Sequence, residues 1–318
     1  MTRSLLCTPY KSLLNRIDPP VIVLLYHRVT TLASDPEMLA VTPDNFRAQM
    51  QYLKKHFNMV RFEDSWSKES SPAVAITFDD GYVDNALEAL PILEDVGVPA
   101  TFFISTGSIG SDTEFWWHEL ERIILEKQGL PSRFCLEDRR CGRIWPTGSS
   151  KERQEFYNGI TRLMNDADAG RRNNWLAQMR NWAGTEKLFA GMHRSMTIDE
   201  LRLLAGSSLV TIGAHTVSHT RLSSLTSEAQ RDEMQTSINQ LETWLSREIT
   251  TFSYPFGRKC DYTKDTMTFC RDLGIVKAAA NFPGQAHRWT DPYQIPRHLV
   301  RNWTAETFAL KLRGFWTR

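Results

Sequence analysis

Two adjacent carboxylates, Asp79 and Asp80, stand at the end of Ala73-Val74-Ala75-Ile76-Thr77-Phe78-Asp79-Asp80-Gly81, where an apolar, β-like run gives way to a glycine. Side chains alternate faces along a strand, so both acids can serve one site only if the backbone turns at the strand end, which Gly81 permits at little cost. Far downstream, His215 and His219 bracket Thr216-Val217-Ser218 directly after a second apolar stretch, Leu209-Val210-Thr211-Ile212-Gly213. Two imidazoles and one carboxylate suffice to hold a divalent metal with a coordination position open, and the other acid is then free to act as a base. Taken singly, Asp-Asp-Gly is most often a plain turn, and a histidine pair is more often not a metal site. Together they outweigh that reading: both follow strand-like runs and so fall at C-terminal strand ends, where α/β barrels and open α/β sheets build their sites. Thr216 stands where the His-Glu-x-x-His signature of a metalloprotease helix requires glutamate, which excludes that class.

At these residues the chain resembles the polysaccharide deacetylase family, carbohydrate esterases that include chitin, peptidoglycan and nodulation-factor deacetylases. Thr77-Phe78-Asp79-Asp80-Gly81 is similar to the family's first motif, and His215-Thr216-Val217-Ser218-His219 matches its histidine motif at every specified position. The resemblance covers most of the chain outside a middle segment. It implies an α/β fold, a distorted (β/α) barrel, with Asp79 as general base and Asp80, His215 and His219 as metal ligands. The substrate implied is an N-acetylated, less often O-acetylated, sugar. Zinc suits this ligand set first, and iron, cobalt or nickel are compatible with it.

The family's third motif, Arg-x-Pro-Tyr or Arg-x-Pro-Phe, appears here as Ser253-Tyr254-Pro255-Phe256, whose last three residues are expected to contact substrate. The arginine that orients the base in the family is missing, and Arg297 is the candidate replacement, a surface position being the alternative. The Asp-x-x-Asp-Trp motif is absent. Leu-x-His stands early, as Leu25-Tyr26-His27 at the end of the first apolar run. That order resembles exported poly-N-acetylglucosamine deacetylases and implies His27 as general acid, with a backbone-bonded strand-end histidine as the ordinary alternative and His298 as the next candidate. The residue types belong together chemically. An amide carbonyl is a poor electrophile and an amine a poor leaving group, so a Lewis acid, a base for water and a histidine acid are each needed.

The elements that must position these groups alternate in an α/β manner. Thr42 and Pro43 read as the start of a helix carrying Phe46, Met50 and Leu53. Ala86, Leu87, Leu90, Leu93 and Val96 suggest another, leading to a strand over Ala100 to Ile104. A capping box at Thr197 to Glu200 precedes the histidine strand, and Ser227 to Gln230 is a second box-like start, for a helix with Met234, Ile238, Leu241 and Leu245 on one stripe. Later strands are expected within Thr251 to Tyr254, Gly274 to Ala280 and Gln294 to Val300, and a closing helix from Thr304. Residues 20–318 are thus assigned to the barrel, 1–19 to an N-terminal extension and 111–195 to an inserted, mainly helical subdomain overhanging the site. Within it, Phe115-Trp116-Trp117 is expected to anchor the insert rather than to form an aromatic lip.

With 318 residues and a formal net charge of +1, the chain has room for one barrel plus an insertion and no basic footprint for nucleic acid. Met1 to Pro20 lacks a secretory h-region, and no apolar run approaches a transmembrane span. Five cysteines without paired metal spacing read as free thiols. A soluble cytoplasmic enzyme, at most peripheral to the inner membrane face, is expected, acting on an acetylated amino sugar or a lipid-linked precursor; nothing in the chain fixes an oligomeric state. Two other classes stay open: a metal amidohydrolase or deformylase for a non-sugar amide, and an inactive glycan-binding relative.

Overall fold

The computed structural model describes residues 15, 17–66, 71–111, 114–139, 142–186 and 193–317; most of the expected N-terminal extension, with Cys7 and Cys141, lies outside them. A parallel sheet runs in the order β11-β10-β9-β6-β5-β1-β12. These strands are Lys277–Ala279, Thr251–Ser253, Val210–Ala214, Ala100–Ile104, Ala73–Phe78, Val21–Tyr26 and His298–Leu299, and a short β4, Asn58–Met59, also pairs with β5. The two edges meet through an irregular segment. Ile295 exchanges hydrogen bonds with Ala278 and Ala280 beside β11, and a few residues on Leu24 and Leu25 pair with His298 and Leu299. The result is the distorted (β/α) barrel expected from the sequence.

Strand alternation sorts the side chains. Val21, Val23, Ala73 and Ala75 join Phe103 and Ala279 in a small-residue interior, while Ile22, Leu24, Val74, Ile76 and Phe102 face outward against the helices. That outer layer comprises α1 (Pro43–His56), α2 (Leu90–Val96, entered through a π turn at Asn85–Ala89), α6 (Ile198–Gly206), α7 (Ser227–Leu245), α8 (Lys264–Asp272) and α9 (Ala305–Thr317). Thr42 and Thr197 cap α1 and α6 as expected, although Thr42 turns its hydroxyl to Asn302 instead of to the helix. The α7 start lies one residue earlier than expected: Thr226 accepts the Ala229 amide, and Gln230 bonds the Leu225 carbonyl and the Thr263 and Thr266 hydroxyls.

Between β6 and α6 a second apolar cluster forms from α3 (Trp116–Glu121), α4 (Ser150–Asn165), α5 (Ala169–Ala183) and an antiparallel hairpin, β7 (Arg133–Leu136) with β8 (Arg143–Pro146). The hairpin was not foreseen; its strands are too short for alternation to stand out from the turn-rich residues beside it. A small parallel pair, β2 (Arg28–Val29) with β3 (Ala40–Val41), completes the strands. Among the described residues no helix is long and apolar enough to cross a membrane.

Candidate active site

Inward parity on β5 passes from Ala73 and Ala75 through Thr77 to Asp79, at the C-terminal rim of the barrel. The turn that redirects Asp80 begins on Asp80 itself, at φ 79°, and continues through Gly81 at φ 90°. A non-glycine residue seldom adopts that conformation, and strain of this kind collects at functional positions. The backbone is held there by Asp79 N–H donating to the Tyr26 carbonyl and Ser105 N–H to the Asp80 carbonyl, at 3.1 and 3.2 Å.

Arg297 is fully buried and grips Asp79 in a bidentate pair, Nη1 to Oδ1 at 2.8 Å and Nη2 to Oδ2 at 2.7 Å. Its Nε donates to the Ala280 carbonyl and its Nη2 also to Ser253 Oγ. Ser253 Oγ in turn donates to Asp79 Oδ2 at 3.2 Å. Serine at the position where the family carries arginine thus leaves the space that the Arg297 guanidinium enters from the neighbouring segment. Burial alone would push the Asp79 carboxyl up, but Arg297, with His215 behind it, overrides this and holds it well below the usual carboxylate range.

Asp80, His215 and His219 bring one donor atom each to within 4.8 Å of one another. Asp80 Oδ1 lies 3.6 Å from His215 Nε2 and 3.4 Å from His219 Nε2. His215 Nδ1 must carry the proton, because its partner at 2.7 Å is the Ser253 carbonyl, and this leaves the Nε2 lone pair free toward Asp80. Burial lowers the proton affinity of both imidazoles and, with the Asp79 charge next, raises that of Asp80, whose Oδ1 is buried without a hydrogen-bond partner. Two imidazoles kept neutral by burial and a buried acid with no hydrogen-bond partner are the donor types that a divalent cation takes, a cation's charge displacing the proton of the acid. The residues fit the metal that the sequence suggests.

The loop carrying these histidines is tied down by a residue that sequence reasoning missed. Glu233 on α7 accepts from the Val217 and Ser218 amides at 2.9 Å each and from the Ser218 hydroxyl at 2.6 Å. Thr216 and His219 both have positive φ, 65° and 52°, so the loop is bent at both ends. Across it, Gly107 donates its amide to the Val217 carbonyl, an approach so close that a Cβ at 107 would stand 2.6 Å from that oxygen. Behind the site lies a second group unforeseen from the sequence: Arg28 and Asp84 form a fully buried ion pair, with the Arg28 guanidinium 4.4 Å from the Tyr82 ring.

A cavity of about 780 Å³ opens above these groups and is lined by Asp79, Asp80, His215, His219, His27 and Phe256, among others. His27 therefore reaches the site; its Nδ1 is buried without a partner, and burial lowers its pKa to about 4. Of the three expected substrate contacts only Phe256 lines the cavity, its ring 5.0 Å from that of His219. Pro255 is not in the lining, and Tyr254 is turned into the core, stacked 4.1 Å from Tyr262 with its hydroxyl on the Tyr293 carbonyl. His298 also lies off the cavity, its ring stacked on Phe315. Phe115 and Trp117 pack against Tyr82, while Trp116 and Trp117 present surface to the cavity.

By fold this is an α/β-barrel enzyme with its candidate site at the strand C-terminal ends, the usual place in that architecture. The chain belongs to the polysaccharide deacetylase family, whose model matches residues 67–129 and 178–278, more than half of its length. It is accordingly a carbohydrate deacetylase, a hydrolase. YxkH of Bacillus subtilis (strain 168), whose own name as a polysaccharide deacetylase is provisional, is 23% identical over 288 residues, 88% of this chain and 70% of that protein. The deacetylase PplD of Streptococcus pyogenes, solved with acetate, superposes with a TM-score of 0.58 at 18% identity, covering 92% of this chain and 98% of that one. IcaB of Ammonifex degensii does so at 0.56 and 17%, covering 95% and 98%.

Proposed function

We propose that the protein removes the N-acetyl group from an amino sugar in a glycan or glycan precursor, with a divalent metal ion held by Asp80, His215 and His219. Deacetylases of this family are metalloenzymes. The observation that carries the reading is the convergence of unpartnered Asp80 Oδ1 and the two imidazole nitrogens beside an Asp79 kept ionised by Arg297. When bound, such an ion polarises the amide carbonyl and acidifies water; zinc suits the ligands first, with iron, cobalt and nickel compatible. Asp79 takes the proton of the attacking water, and Arg297 and Ser253 fix the plane of its carboxylate. Pairing with Arg297 keeps Asp79 charged at neutral pH and makes it a weaker base. His27 is neutral in the free protein, so protonating the departing amine requires that bound substrate raise its proton affinity. Phe256 and the indoles of Trp116 and Trp117 supply faces for a sugar ring.

In this proposal residues 111–195 form a subdomain inserted into a barrel spanning 20–318, and the end of α4, with Thr161 and Asn165 in the cavity lining, walls the substrate. A cytoplasmic setting and a precursor substrate agree with free thiols at Cys135, Cys260 and Cys270. The test pairs metal content with acetate release from N- and O-acetylated sugars. Asp79→Asn should keep the metal and lose activity; Asp80→Asn should lose both. Equal metal loss in the two variants, or no acetate from any acetylated sugar, would overturn the proposal.

A further inference from the structure

The mouth of the same cavity carries a second chemistry. Arg162 on α4 and Arg258, two residues beyond Phe256, both line it, and neither guanidinium has a hydrogen-bond or ion-pair partner among the described residues. Arg301 lines it too, donating to the backbone carbonyls of Glu37 and Met38. Arg221 is shared between Asp166 and Asp261 and lies over the Phe256 ring at 5.4 Å, so the basic rim begins one aromatic ring away from His219. Of the carboxylates in the lining of the mouth, Asp166 is paired with Arg221, while Glu37 keeps its charge, accepting from the Tyr157 hydroxyl at 3.2 Å and facing Arg301.

Neutral sugar hydroxyls do not call for free cations. A guanidinium is weakly hydrated and presents a rigid fork of donors matched to phosphate oxygens. The volume, about 780 Å³, lies in the upper part of the range of about 300–1,000 Å³ usual for ligand sites, which leaves room beyond a single sugar ring. We infer that the cavity takes an acetylated amino sugar bearing a diphosphate, with Arg162 and Arg258 on the phosphate oxygens and the acetamido group inward. This rests on the deacetylase reading for the sugar end alone. A nucleoside diphosphate sugar and a polyprenyl diphosphate sugar share the chemistry.

The test is calorimetric binding to the metal-loaded full chain of three probes: N-acetylglucosamine diphosphate carrying uridine, the same sugar diphosphate carrying a short water-soluble polyprenyl chain, and methyl N-acetylglucosaminide. At least one diphosphate should bind about tenfold or more tightly than the glycoside, by a margin that narrows with salt and collapses toward one in R162A/R258A; the carrier that binds tighter identifies the source. Equal affinities in the wild type overturn the inference. So does a margin that persists in the double variant, which would put the anion on the metal ion. Titrations in the Asp79→Asn background, expected to keep the metal without turnover, read binding alone; a margin intact there, with no acetate released by the wild type from any acetylated sugar, would fell the deacetylase reading and leave this inference supported.

Discussion

The arginine that serves Asp79 should be movable between two positions. Ser253 Oγ and Arg297 Nη2 meet at 2.9 Å, and both reach Asp79 Oδ2, at 3.2 and 2.7 Å, so residues 253 and 297 approach one carboxylate from two segments. Arg297→Ser removes both arms of the bidentate pair and leaves Asp79 buried. Deleting one member of a buried ion pair costs about 3–5 kcal/mol, which in a chain of this size lowers the melting temperature by on the order of 10 °C. With its largest opposing charge gone, the Asp79 pKa rises; a base acts only when ionised, so the acidic limb of the activity profile moves to higher pH. At neutral pH the loss should be on the order of 10²-fold, the lower end of what general base catalysis supplies. Ser253→Arg alone crowds two guanidinium groups onto one carboxylate and should also be impaired. The double variant S253R/R297S should recover at least about tenfold of the activity lost in R297S, a coupling that a double-mutant cycle isolates. The assay is acetate release as a function of pH, with thermal unfolding alongside. An R297S variant with the wild-type pH profile, or a double variant no better than R297S, would reduce Arg297 to a structural counterion.

Three further outcomes are expected. Glu233→Ala should weaken metal binding by about 10–100-fold, measured against a competing chelator; unchanged affinity would show that the histidine loop holds itself. Burial lowers the pKa of His118 to about 3 and of His193 and His27 to about 4. Folded values below unfolded ones mean stability that is complete above pH 6.5 and is lost as pH falls from 6.5 toward 4 for His193 and His27 and toward 3 for His118; by pH 5 His118 alone should cost about 2 kcal/mol. The melting temperature should therefore drop between pH 7 and 5, less steeply in His118→Gln, and equal slopes would refute the assignment. Burial pushes the Cys270 thiol up to about 12, whereas Cys260 is exposed. Iodoacetamide mapping at pH 8 should find Cys260 modified and Cys270 protected until the chain is unfolded, and early labelling of Cys270 would contradict the packing around Tyr254.

Asp79, Asp80, His215 and His219 were legible because each pair is local and follows an apolar run that could hardly be anything but a strand. Asp80 and Gly81 show the limit of that legibility: a glycine announces a turn, but nothing in the letters says that the turn starts on the preceding aspartate. Arg297 could be nominated only because a known motif had a gap. Its route to Asp79 depends on how residues 295–299 bridge two strands, which no local pattern encodes. Tyr254 misled because motif membership suggested a substrate contact, whereas its ring packs on Tyr262 in the core. Glu233 gave no signal at all: on a helix with a clear apolar stripe it looks like any solvated glutamate, and its three partners lie on a loop that precedes the helix.

The segment that closes the barrel carries Arg297 between its two attachments, Ile295 on the β11 side and His298 on the β1 side. Ring closure and neutralisation of Asp79 are therefore one event. Any loosening of this seam strips the acid of its counterion while both sheet edges are still intact, so the proton affinity of Asp79 acts as a strain gauge for the joint. Chemical competence should then disappear at milder denaturant than secondary structure does, and the enzyme would inactivate before it unfolds.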